Sequence, residues 1–404
     1  MAPPVMITNI FVYPVKGCQG ISLESALLTP EGRLYLDREF AVVDSRGDRY
    51  PAMKSLSMRE LPGLASIKTE FITKGHRVIK LVLSNASGSC VTVPVSASPS
   101  SSPDDLTIEC SGKSTTSAGS WHLGHLPARN MGDEVSEFLS NHLNDPEVDT
   151  QKKNKPRSTY LLARALSTRS MAAYAGPNQK PYSADVAEQG RGEASPFKMQ
   201  SLPVKSEDQL AFADFGSLNI ASQSSFRYTQ KLIREQDPAP AESEVSAHDI
   251  RAFRPNIVID SDTLLAWHEE LFIRWTVKSP DSKRSVPMRR LIGCPRCSVP
   301  ARNHTTGKFQ YSAPKRLRPQ DALRKAFPDK LKNEAWGPEW EGTMFGVHCG
   351  VEFDEVVGKE ESGEGVFLRK GDIISIDEEQ KMNFTLCHVL VIVMFLCVIW
   401  PAFF

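Results

Sequence analysis

Residues 7–15 read ITNIFVYPV, a run of β-branched and aromatic side chains broken by Asn9 and Pro14. That composition suits a strand running into a turn. Working outward, residues 34–45 (LYLDREFAVVDS) repeat the pattern and are closed by Arg46-Gly47-Asp48, a turn signal. Residues 79–83 (IKLVL), 256–260 (NIVID), 271–277 (LFIRWTV), 289–299, 344–353 (MFGVHCGVEF) and 366–376 (VFLRKGDIISI) are further strand-like runs. Within 133–143, Val135, Phe138, Leu139 and His142 recur near helical spacing, which predicts one amphipathic helix. Short strands without helix-length spacers favour a β-rich barrel over a parallel α/β sheet. No internal repeat is present.

Between these runs the composition softens. Residues 85–120 are heavy in Ser, Thr, Gly and Pro and read as a long surface loop or insertion. The basic stretch 151–157 (QKKNKPR) reads as a solvated connector before it reads as a nucleic-acid patch. Residues 166–205, around Ala175-Gly176-Pro177, form a polar linker or insertion, and 237–247 (DPAPAESEVSA) is a second soft region. Two β-rich domains are therefore expected, at 1–165 and 206–378.

The 404 residues carry 48 basic and 48 acidic side chains, and this balance argues against a nucleic-acid-coating protein. Eight cysteines scattered over such a length do not make a disulfide scaffold, so a reducing compartment is expected. Met1 to Thr8 lack the features of a secretory signal. Residues 384–404 (FTLCHVLVIVMFLCVIWPAFF) hold no Asp, Glu, Lys or Arg, and as a helix would span roughly 30 Å, a bilayer's hydrocarbon core. A C-terminal transmembrane helix is expected there, tail-anchoring a cytosol-facing body in the mitochondrial outer membrane or endoplasmic reticulum. The other readings of the segment are a buried core helix or a mis-called exon, the latter leaving a cytosolic protein.

The chemistry-bearing motif is Cys294-Pro295-Arg296-Cys297. A zinc knuckle would need a second such pair, and a thioredoxin-like dithiol would need a helix after the first Cys, which Ser298-Val299-Pro300 opposes. One soft thiolate ligand to a redox metal, with Arg296 keeping it charged, and two ordinary buried cysteines are the other readings. Upstream, Arg254-Pro255-Asn256 opens a strand: Arg254 can fork onto a phosphate and Asn256 can bond a heterocycle, although a lone Arg is more often a surface ion pair. Lys16 ends the first strand in YPVKGC, and Arg38 follows Asp37.

Together, YPVKGC, LYLDREFAVVD, Phe212-Ala213-Asp214, FRPNIVID, the Trp267/Glu269/Glu270 cluster, CPRC followed by Gly307, and Gly371-Asp372 resemble the molybdenum-cofactor sulfurase C-terminal (MOSC) family. The pattern is nearest the mitochondrial amidoxime-reducing components. The resemblance implies a mixed α/β, β-rich fold with an N-terminal MOSC-type β-barrel domain and a C-terminal MOSC β-barrel domain. It implies Cys297 as the molybdenum ligand and catalytic centre. Lys16 and Arg38 would hold the cofactor phosphate, and Arg254 and Asn256 would contact the pterin, with Ser222 and Arg296 as further cofactor neighbours. The implied function is a molybdenum-cofactor-dependent oxidoreductase acting on small N-hydroxylated substrates such as amidoximes and hydroxylamines. Electrons would come from a cytochrome b5-type haem protein and its flavin reductase, since the chain has neither a GxGxxG fingerprint nor an iron–sulfur cysteine set. The alternative is a carrier of molybdenum cofactor or sulfur. Cofactor sulfurases carry a desulfurase domain upstream, whereas this sequence opens on the barrel pattern, which favours the first reading. Departures from the family pattern are Gly17, where relatives often carry Ser, and residues 298–304 after Cys297.

Overall fold

The computed structural model describes residues 3–45, 53–75, 77–95, 105–113, 120–148, 157–170, 208–214, 216–312, 318–326, 344–359 and 365–379. Its centre is a closed barrel of seven strands. Starting from Ile257–Asp260, the order passes through Leu218–Ser222, Met344–Val351, Ser285–Pro295, Phe272–Lys278 and Ile373–Glu379 to Val5–Val12. Val5–Val12 then pairs with Ile257–Asp260 and closes the ring. The Leu218–Ser222 and Ile257–Asp260 pair is parallel, and the other neighbours in the ring are antiparallel.

The closing strand shows how sequence becomes register. Its pairing shifts between Ile7 and Asn9, a bulge at Thr8. The bulge resets the alternation, so that Ile7, Ile10 and Val12 all enter the barrel core beside Ile257, Trp275, Val277, Met288 and Val347. Phe11 and Tyr13 face the opposite way and pack with Phe226, Phe253 and Phe345. The helix Gln223–Arg234 carries Phe226 onto that outer face. Each fully buried aliphatic or aromatic side chain contributes roughly 1.5–3 kcal/mol of transfer free energy, so a strand buried on both faces is a main stabiliser of the barrel.

A second β unit packs on the barrel. Its five-stranded sheet runs in the order Phe40–Asp44, Tyr160–Ala165, Ser120–Asn130, Asp105–Lys113, Met53–Lys54. A three-stranded sheet, Lys68–Lys74, Arg77–Ser84 and Cys90–Pro94, lies beside it. In Phe40–Asp44 the side chains alternate strictly: Phe40 and Val42 join a core with Leu64, Leu81, Leu139 and Leu162, while Ala41 and Val43 join a second core with Ile108, Leu126 and Phe212. The predicted helix forms at Asp133–Leu143 with Val135, Leu139 and Leu143 buried.

Three expectations need correction. The N-terminal barrel domain followed by a C-terminal barrel domain gives way, among the described residues, to one closed barrel drawn from both ends of the chain, because the first strand pairs with Ile257–Asp260 and Ile373–Glu379 as well as with the neighbouring Ile21–Leu23. The C-terminal transmembrane helix is not supported: no helix among the described residues is long and apolar enough to cross a membrane. Residues 384–404 themselves lie outside the described residues. The stretch 85–120 is not one loop, since Cys90–Pro94 and Asp105–Lys113 are strands. Val91 and Val93 supply an alternating buried face that the surrounding Ser and Pro obscure. Within the linker 166–205, Arg169–Ser170 pairs with Gln209–Leu210, and residues 171–205 lie outside the described residues.

Candidate functional site

The chain crosses from the barrel to the second unit at Tyr13 to Lys16, and the crossing is stitched by backbone hydrogen bonds. Arg38 N–H donates to the Tyr13 carbonyl at 2.8 Å, Phe40 N–H to Pro14 at 3.0 Å, and Lys16 N–H to Phe40 at 2.8 Å. Arg38 has a positive φ of 48°, which an L-residue adopts only under constraint. The constraint is visible: Asp37 accepts from Tyr13 N–H at 2.9 Å with one oxygen and pairs with Arg38 through the other. Lys16 and Arg38 are thus delivered to one seam by a non-local backbone contact.

On the barrel side, Arg254 closes a 3-10 turn with φ 54°. Its Nη1 donates to the Cys18 carbonyl at 2.8 Å. The guanidinium groups of Arg38 and Arg254 both lie over the Tyr13 ring, 4.5 and 4.1 Å from its centroid. Arg38 Nη1 donates to Asn256 Oδ1 at 3.0 Å, and Arg38 Nη2 donates to the Arg254 carbonyl at 3.2 Å. Asn256 Oδ1 also accepts from Asn219 N–H at 3.2 Å, and its Nδ2 donates to the Phe11 carbonyl at 3.1 Å. The Asn256 amide therefore orients Arg38 and ties three strand segments together.

The strand Ser285–Pro295 ends within the Cys-Pro-Arg-Cys motif, which projects Arg296 and Cys297 beyond the sheet. Arg296 donates to the Phe253 carbonyl at 2.6 Å, to the Phe345 carbonyl at 2.9 Å and to Asn219 Oδ1 at 3.4 Å. Gln320 holds the Cys297 carbonyl. The Cys297 side chain is half-buried and bonds the guanidinium of Arg59. Arg59 in turn pairs with Asp214 at 3.1 Å, and Asp214 pairs with Lys16 at 2.6 Å. One continuous network therefore joins Lys16, Asp214, Arg59 and Cys297, and a second joins Arg254, Arg38, Asn256, Asn219 and Arg296. Cys294 bonds Asn219 of the second network and lies within electrostatic reach of Cys297 in the first.

Electrostatics follow from crowding. Burial opposes ionisation of Asp214, but Lys16 and Arg59 together hold its carboxyl well below the usual carboxylate range. Burial, then the adjacent Arg296, pushes the His348 imidazole down to about 3, so it is neutral at pH 7. Burial lowers Arg254 to about 10. Burial raises the Cys294 thiol, which suits it to packing and hydrogen bonding rather than to metal ligation.

The structure brings Lys16, Arg38, Arg254, Asn256, Arg296 and Cys297 together. It places Ser222 elsewhere: Ser222 caps the helix Gln223–Arg234, accepting from Ser225 N–H at 3.0 Å, and its hydroxyl donates to Glu269 at 2.9 Å. Arg59 and His348 escaped the sequence reading. Arg59 stands in a stretch, SLSMRELPGL, with no motif around it; it is identified by its tertiary contacts alone.

Comparison with known proteins reaches one side of this seam. Residues 5–146 match the MOSC N-terminal beta barrel domain. Lys16, Arg38 and Arg59 lie inside that match, and Arg254, Asn256, Arg296 and Cys297 lie outside it. A molybdenum cofactor sulfurase from Oryza sativa subsp. japonica is 38% identical over 65 residues, 16% of this chain. The match spans 7% of the length of that relative. The MOSC domain is associated with molybdenum-cofactor proteins, and residues 5–146 are similar to its N-terminal unit.

Proposed function

We propose that this protein binds a molybdenum cofactor along the seam and acts as an oxidoreductase on small N-hydroxylated compounds, amidoximes or hydroxylamines. Its electrons would be delivered by a separate haem protein of cytochrome b5 type and a flavin reductase. The observation that carries the reading is the half-exposed Cys297 thiol on Arg59, at one end of a buried cationic network.

The donor set fits the group. A dithiolene-bearing pterin with a phosphate needs one soft ligand at the metal end and a basic cradle for its anionic end. Among the described residues no three His, Cys, Asp or Glu side chains group as a metal site, so Cys297 would be a single protein ligand and the carrier would supply the others. Arg254 Nη2 is shielded from solvent with no hydrogen-bond partner, and an orphaned buried guanidinium N–H costs roughly 1–3 kcal/mol unless an acceptor meets it. When bound, the cofactor would supply two-electron oxygen-atom chemistry.

The chain's own residues would set the stage. Arg59 hydrogen-bonds the Cys297 side chain, and Asp214 fixes Arg59 from the other side. Arg296, bonded to two backbone carbonyls, and Gln320, bonded to a third, fix the backbone that presents the thiol. His348, held neutral, adds no charge to the seam.

Elemental analysis of the purified protein tests the reading, with an N-hydroxylated compound assayed beside it under a reduced haem donor. The expected result is near-stoichiometric molybdenum and turnover, both lost in Cys297→Ala. Full turnover in that variant refutes it. The sulfurase match favours a second reading, a cofactor-carrying module; molybdenum retained without any turnover under a competent donor would select it.

A further inference from the structure

The loop after the Cys-Pro-Arg-Cys motif carries His304. Asn303 Oδ1 accepts from Thr305 N–H at 2.9 Å and from Thr306 N–H at 3.1 Å. Gln19 donates to the Thr305 carbonyl at 3.4 Å, and Arg302 donates to the Gly307 carbonyl at 2.9 Å. The loop is thereby pinned to the first crossing, and His304 is held within electrostatic reach of Arg254, Arg251 and Asp249.

Both ring nitrogens of His304 are shielded from solvent, and neither has a hydrogen-bond partner. Its neighbour His248 shows what a structural histidine does here. Its Nε2 meets the Pro300 carbonyl at 3.0 Å and its Nδ1 meets the Tyr311 hydroxyl at 3.0 Å. His304 has no such role. Two further orphans belong to the same neighbourhood: Arg254 Nη2, and the hydroxyl of Tyr13, whose ring Arg254 covers. The nearby acids are already taken. Asp249 is bonded to Arg251 at 2.9 and 2.8 Å, and Asp37 is paired with Arg38. Among the described residues Arg254 forms no salt bridge.

Buried polar groups left unmade are costly, and several together on one guanidinium mark a place for a ligand. The three groups come from three segments of the chain. Donors contributed by separate segments around one cation suit the several oxygens of a tetrahedral anion better than the flat fork of a carboxylate. We infer that His304, with Arg254 and Tyr13, forms a binding site for a phosphate-class oxyanion. The site deepens the cofactor reading and rests on it only for the natural occupant, which is either the phosphate ester of the cofactor or free phosphate.

The test uses the full chain made in a host that cannot synthesise the cofactor, titrated calorimetrically with inorganic phosphate at constant ionic strength. Wild-type protein binds phosphate. His304→Ala weakens binding roughly tenfold, and Arg254→Met roughly a hundredfold or more. His304→Gln, which keeps a donor, stays within about threefold of wild type. Thermal melts in phosphate-free buffer show whether each variant is folded. The same titration on cofactor-loaded protein separates the sources: suppression assigns the site to the cofactor's own phosphate, persistence to free phosphate. No phosphate binding by the wild type, or equal binding by folded His304→Ala and wild type, overturns the site. Phosphate binding that depends on His304, in protein that never acquires molybdenum, removes the cofactor reading and leaves the site standing.

Discussion

Arg38 and Asn256, 218 positions apart in sequence, meet through a 3.0 Å hydrogen bond across the seam between the barrel and the second β unit. Neither side chain is informative alone. Joined, they fix the orientation of a guanidinium stacked on Tyr13 and lock two chain crossings together.

Replacing Asn256 tests that lock. Asn256→Ala removes the acceptor shared by the Asn219 N–H and Arg38 and the donor to the Phe11 carbonyl, in a site that is 1% exposed, leaving Arg38 only its contacts with Asp37 and the Arg254 carbonyl. The expected loss of stability is about 2–5 kcal/mol, read from urea denaturation midpoints. Asn256→Asp keeps the acceptor for Arg38 and Asn219 and loses only the donor, so it should cost less. Equal losses in the two variants would show that Arg38 does not depend on Asn256.

Asp214 gives a pH-dependent signature. Its folded carboxyl is held below the unfolded value of about 3.9, so its stabilisation is complete above that value and disappears as the pH falls below it. The stability gap between wild type and Asp214→Asn should therefore be flat from about pH 5 to 8 and close in stronger acid. Denaturation midpoints measured across that range check it.

His348 acts earlier on the same axis. With its folded value lowered from the ordinary 6.5 to about 3, the unfolded chain takes up a proton that the native state refuses. Stability is retained above about pH 6.5 and falls by up to about 1.4 kcal/mol per pH unit as the pH drops below it. His348→Gln should flatten the profile between the two values while leaving the loss in stronger acid due to Asp214.

Gly307 is expected to tolerate no side chain. Its φ is +69°, and a Cβ there would overlap the Pro62 carbonyl oxygen. Pro62 opens the turn that follows Arg59, so Gly307→Ala should displace the loop bearing His304 and strain the approach of Arg59 to Cys297. A drop in melting temperature of several degrees, about 2 kcal/mol or more, is expected. Faster alkylation of Cys297 by iodoacetamide would report the loosened cover.

The sequence by itself determined the strand-rich character, the helix at Asp133–Leu143 and the identity of most seam residues. Periodicities of two and 3.6 are local properties of neighbouring side chains. It concealed the helix Gln223–Arg234, whose buried positions Ser225, Phe226, Thr229 and Ile233 include two hydroxyl residues and so carry little apolar signal. It also hid the strands at Cys90–Pro94 and Asp105–Lys113. Only the tertiary structure decided that Met6 pairs with Asp260, closing the barrel with the start of the chain. The same long-range pairing set Arg59 on Cys297 and left His304 within electrostatic reach of Arg254. Pairing between distant strands depends on which faces can be buried together in three dimensions, and no local pattern encodes that choice.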